Sequence, residues 1–95
     1  MNNYELLFIL DPVVEESKRQ AMIETVKEII AEGGEVGEVE VWGTRKLAYP
    51  IRKKSEGFYV LVNFSAEPDL PKELDRRLKI ADSVMRHLII NKDAQ

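Results

Sequence analysis

Five cations, Arg45, Lys46, Arg52, Lys53 and Lys54, fall within ten consecutive residues that hold no acid. Guanidinium groups bind phosphate oxygens through paired donors and ammonium groups bind them as point charges, so phosphate contact is the chemistry this density offers. These five are drawn from fourteen Lys and Arg side chains, which leaves nine bases against seventeen acids elsewhere in a chain of net charge −3. One basic lobe on an acidic body is the asymmetry of a polyanion contact confined to one place. It is equally the pattern of a solvated loop, and charge alone leaves the two readings level. Tyr49-Pro50, set between the two groups of cations, adds an aromatic ring that can stack on a base or a guanidinium. Trp42, a little upstream, reads as packing at the foot of the same hairpin.

Other chemistry finds no comparable support. His87 has no second histidine and no cysteine with which to form a metal set, and a histidine inside a strand pattern reads as a satisfied structural residue. Glu15-Glu16 suits a helix start and Glu38/Glu40 an exposed strand face, rather than acid/base catalysis. Asp11-Pro12-Val13-Val14 after the first strand holds no glycine, so no phosphate-cradling loop is present there. Zero cysteines exclude a disulfide scaffold and a thiolate site. The expectation is a protein that is not an enzyme, with no cofactor, metal or small-molecule substrate.

The elements that must position the basic lobe follow from periodicity. Ninety-five residues, 44% hydrophobic and 33% charged, suit one compact domain over residues 1–95. No apolar run approaches the length of a membrane span, and Met1-Asn2-Asn3-Tyr4-Glu5 does not begin a secretory signal. Tyr4 to Leu10, stopped by Asp11-Pro12, reads as a central strand with Leu6, Phe8 and Leu10 on one face and Glu5, Leu7 and Ile9 on the other. From Glu15 to Glu32 the period becomes helical, with Met22, Ile23, Val26, Ile29 and Ile30 in one stripe and Gly33-Gly34 as a left-handed stop. Glu35 to Lys46 reads as a second strand with a bulge at Gly43, and Phe58 to Ser65 as a third. Pro68-Asp69 opens a second helix through Leu70, Leu74, Leu78 and Ala81. Val84 to Ile90 is a last strand, and Asn91 to Gln95 a fraying tail.

The order strand, helix, strand, strand, helix, strand is the ferredoxin-like α+β arrangement, with an antiparallel sheet of order 4-1-3-2 and both helices on one face. The other face stays open and should show Leu7, Ile9, Tyr59, Leu61 and part of strand four. Gly57-Phe58 on this scaffold is a weak echo of the RNA-recognition motif. Leu7 and Ile9 stand where that motif needs aromatics, so the face suits a protein chain better than splayed bases.

Tyr4-Glu5, Asp11-Pro12, Gly33-Gly34, the run Trp42 to Ile51, Gly57-Phe58-Tyr59 and the ending Asp82 to Ile90 together resemble the sixth protein of the bacterial small ribosomal subunit. The resemblance spans essentially the whole chain, and Arg45-Lys46-Leu47-Ala48-Tyr49-Pro50-Ile51 is its most specific part. It implies a structural, cytoplasmic ribosomal protein that binds the central domain of 16S ribosomal RNA in the platform, as a heterodimer with the eighteenth small-subunit protein. It further implies that Arg45, Lys46, Arg52, Lys53 and Lys54 meet RNA phosphates or the partner, and that Tyr4, Leu7, Ile9, Tyr49, Tyr59 and Leu61 lie on the partner-facing side. Asn2-Asn3 departs from relatives with a basic residue after the first methionine, which puts an N-terminal phosphate contact in doubt. The alternative from the residues is a self-associating regulatory module that binds a small metabolite, and a lesser one is a lone RNA-recognition domain stacking bases on Tyr59.

Overall fold

The computed structural model describes residues 1–93. The elements are β1 (Asn2–Leu10), α1 (Glu16–Ala31), β2 (Gly34–Ile51), β3 (Lys54–Ala66), α2 (Leu70–Lys79) and β4 (Val84–Asn91). The strands form one antiparallel sheet of order β2-β3-β1-β4, the ferredoxin-like order expected from the sequence. Alternation along β1 and β3 delivers Tyr4, Leu6, Phe8 and Leu10, with Val60, Val62, Phe64 and Ala66, to one side. There they meet Ile23, Val26, Ile29 and Ile30 of α1 and Leu70, Leu74 and Leu78 of α2, spaced at helical period, to make the core.

Tyr4 belongs to this core. It is only 6% exposed and its ring stacks on Phe64 at 5.4 Å, so it does not face a partner across the open side as the resemblance implied. The reason is parity: Tyr4 is two residues before Leu6 and shares its face.

Three local features differ from the sequence reading. Neither Gly33 nor Gly34 has a positive φ, so α1 does not end on a left-handed glycine. Gly34 is instead required by close approach, because a Cβ there would lie 2.1 Å from the Ser65 carbonyl oxygen as β2 begins to pair with β3. The residues between Lys46 and Phe58, which the sequence reading leaves outside both strands as a bend, are mostly strand. β2 runs to Ile51, β3 begins at Lys54, and only Arg52 (φ +52°) and Lys53 (φ +64°) turn the chain, both left-handed as a type I′ turn demands. At the other end, Asn91 closes β4, the Lys92 N–H donates to Asn3 O at 2.8 Å, and the Asn3 N–H donates to Asp93 Oδ2 at 2.7 Å. The remaining residues of the expected tail, 94 and 95, lie outside the described residues.

Candidate nucleic-acid and partner interface

The open face pairs residues across the sheet: Leu7 stands between Leu61 and Leu88, and Ile9 between Tyr59 and Arg86. Ile9 and Leu61 are buried at 7% and 9% exposure although no helix covers them. Part of the cover over Ile9 comes from the chain itself, because the distal part of the β2–β3 hairpin leans back across the sheet. Leu47 and Tyr49 of this arm, with Leu7, Ile9, Tyr59 and Leu88 beneath, line a groove of about 240 Å³.

Three contacts hold the arm in that posture. Gly57 lets it cross: a Cβ there would sit 2.3 Å from Ile9 Cγ2 and 3.4 Å from Leu47 Cδ2. At the tip, Arg52 reaches the start of β4 and donates from Nη1 to Asp82 O at 2.9 Å and from Nη2 to Val84 O at 3.1 Å. Midway, Arg86 donates to the Tyr49 hydroxyl, and its guanidinium carbon lies 5.7 Å from the Tyr49 ring centroid.

The five sequence-predicted cations therefore divide. Arg45, Lys46 and Lys53 are exposed, with no ion-pair partner among the described residues. Arg52, though exposed, has two of its donors on backbone carbonyls, and Lys54 sits 4.0 Å from the Asp11 carboxylate. Of the expected partner-facing residues, Leu7, Ile9, Tyr59, Leu61 and Tyr49 do gather at the open side. Tyr4 does not.

Two features that the sequence outlines become specific in the structure. Arg86, Leu88 and Ile90 alternate onto the open face from β4, with Leu88 54% and Ile90 46% exposed. Their signal was the register against Leu7 and Ile9, which only the pairing fixes. Trp42 packs locally, as its reading from the sequence has it, while staying 41% exposed. A register shift between Val41 and Gly43 makes room for it in β2, and it lies against Tyr59. His87 points the other way, donating to Asp75 Oδ1 on α2 at 2.6 Å. Among the described residues no group of acidic or histidine side chains is placed to hold a metal, and no helix is long and apolar enough to cross a membrane.

Comparison with known proteins follows the same outline. A family model described as Ribosomal protein S6 matches residues 3–91. The small ribosomal subunit protein bS6 of Clostridioides difficile is 53% identical over 90 residues, covering 95% of this chain and 98% of that protein. Its counterpart in Alkaliphilus oremlandii is 56% identical over 90 residues, covering 95% and 96%. The crystal structure of 30S ribosomal protein S6 from Thermotoga maritima superposes with a TM-score of 0.91 at 33% identity, covering 96% of this chain and 87% of that one.

Proposed function

The chain belongs to the ribosomal protein S6 family, and from that premise we propose that it binds the central domain of 16S ribosomal RNA cooperatively with the eighteenth small-subunit protein. As a member of a family of small-subunit proteins it is a non-enzymatic component of the ribosome, and so cytoplasmic.

The observation that carries the proposal is a juxtaposition. An apolar face runs from Tyr59 and Ile9 to the half-exposed Leu88 and Ile90, and at its Tyr59 end the exposed cations Arg45 and Lys46 line the adjoining depression. Apolar sheet surface of this kind gains free energy when a protein chain covers it. Cations beside such an interface add phosphate contacts to whatever basic surface the partner brings. A folded RNA junction is then held by shape and charge rather than by base sequence. Neither half suffices alone: a body of net charge −3 has little general attraction for RNA. Cooperativity is the expected consequence. The family supports this reading over the metabolite-binding module.

The test is a titration of a 16S central-domain fragment with this protein at two salt concentrations, with and without the eighteenth protein. Binding should appear or tighten sharply with the partner and weaken with salt. Arg45→Ala with Lys46→Ala should reduce the slope of log affinity against log salt by roughly one unit for each phosphate that is no longer neutralised. Equal affinity with and without the partner, or an unchanged slope in the variant, would overturn the proposal.

A further inference from the structure

Trp42 is the one tryptophan of the chain and has no part in the core or in the groove under the arm. It stands 41% exposed on β2, an outer strand, where the irregular backbone around Gly43 (φ +82°) re-aims the strand. Its indole plane lies 11° from that of Tyr59 with ring centroids 6.2 Å apart, so two aromatic planes face the same way. Together with Arg45 and Lys46 they wall a shallow depression of about 500 Å³ at the edge of the sheet.

We infer that Trp42 and Tyr59 form a stacking platform for an unpaired RNA base whose phosphate is taken by Arg45 and Lys46. This rests on the RNA-binding reading above and adds to it a contact that phosphate binding alone does not supply. Charge and shape select the occupant. Parallel rings with two exposed cations beside them match a nucleotide, which offers a planar π-face and an anionic phosphate a few ångströms apart. An apolar peptide would leave both cations without a counter-charge as it desolvated them, and the aliphatic groove on the other side of Tyr59 suits it better. Glu40 sets the orientation. Its Oε1 accepts the indole N–H at 3.5 Å, which puts a carboxylate at that edge of the indole and leaves Arg45 and Lys46 as the groups in the depression that can take the phosphate.

Because Trp42 is the only indole, its fluorescence reports the site directly. The first probes are single-stranded hexa-adenylate and hexa-uridylate titrated into the wild-type protein at low and high salt. Quenching is expected, stronger with adenylate because a purine stacks over more area, weakened by salt and by Arg45→Ala. The second measurement is affinity for the 16S central-domain fragment in the presence of the eighteenth protein. Trp42→Ala should lower it about 5- to 150-fold, the range found per stacked base, and Trp42→Phe should restore most of the loss. Wild-type affinity in Trp42→Ala overturns the platform and leaves the RNA-binding reading standing. Quenching by hexa-adenylate without affinity for the fragment supports the platform and removes the 16S assignment. A fluorescence change on adding the partner protein alone, unaltered by either RNA, overturns the inference and gives Trp42 to the protein interface.

Discussion

The two faces of the sheet are written with the same alternation and end in different surroundings. On the helix side, Leu6, Phe8, Leu10, Val60 and Val62 are wholly enclosed by α1 and α2. On the open side, Ile9 lies under the chain's own arm and Leu61 is buried as well, while Leu88, Ile90, Tyr49 and Trp42 stay between 41% and 56% exposed. A sheet needs one covered face to be stable. Apart from the buried Ile9 and Leu61, the second apolar face is therefore more than the folding of a single chain needs, and it is where the basic lobe and the paired aromatics lie. On the function proposed above, stability and interaction fall on opposite parities of the same strands.

The largest expected effect separates the two faces most plainly. Phe8→Ala removes a ring that is 0% exposed and should destabilise by about 3–5 kcal/mol. Leu88→Ser on the other face should stay within about 0.5 kcal/mol while weakening attachment of the partner. Denaturant unfolding measures both. If Leu88→Ser cost as much as Phe8→Ala, the open face would be a core and the division would fail.

Gly57 tests whether the arm belongs to the open face or merely passes over it. Gly57→Ala pushes a methyl carbon to 2.3 Å from Ile9 Cγ2, a branch close to the backbone that cannot swing away. Destabilisation of about 1–3 kcal/mol is expected. Ile9→Ala is itself costly at a side chain only 7% exposed, but the double substitution should cost less than the sum of the two singles, because the clash then has no second party. Strict additivity of the two substitutions would mean that the arm lifts freely and that the groove beneath it is incidental.

Much of this was legible in the sequence, for reasons that also explain what was not. Strong periodicity fixed β1, both helices and the sheet order. The stripe Ile23, Val26, Ile29 and Ile30 and the series Leu70, Leu74, Leu78 are buried as their spacing requires. Parity alone put Leu7, Ile9, Tyr59 and Leu61 on the open side, and the same parity contradicts Tyr4, which came from resemblance rather than from alternation. The turn escaped because its two left-handed positions hold Arg52 and Lys53 instead of glycine or asparagine, so the residues between Lys46 and Phe58 read as one bend. The roles of the cations escaped too: composition counts charges, but only tertiary structure shows Arg52 spent on the Asp82 and Val84 carbonyls.

That turn supplies the next prediction. A side chain held at φ +64° is strained relative to glycine, so Lys53→Gly should stabilise the protein by about 1 kcal/mol. It also deletes an exposed cation, and RNA affinity should fall as stability rises. Opposite signs in unfolding and binding assays would place Lys53 on the interaction side of the division. Parallel changes would make it a structural residue.

The smallest effect lies on the helix face and turns on pH. The His87 ring, donating to Asp75 Oδ1 at 2.6 Å, is the foremost cause holding the Asp75 carboxyl below its ordinary value of 3.8, and Lys79 Nζ at 2.9 Å from Oδ2 adds to it. A carboxyl whose folded pKa is depressed contributes stability that is fully present above the unfolded value and is lost as pH falls through the folded one. Asp75→Asn should therefore leave the unfolding midpoint near neutral pH lowered only slightly and make its decline below about pH 4 shallower. An acid limb as steep as that of the wild type would show that His87 does not tie β4 to α2 through this carboxylate. Leu88→Ser, on the adjacent residue and the opposite face, should leave the acid limb as it is, since it touches no titrating group of the pair. A change there would mean that the two faces communicate through β4 and that the division drawn from parity is too sharp.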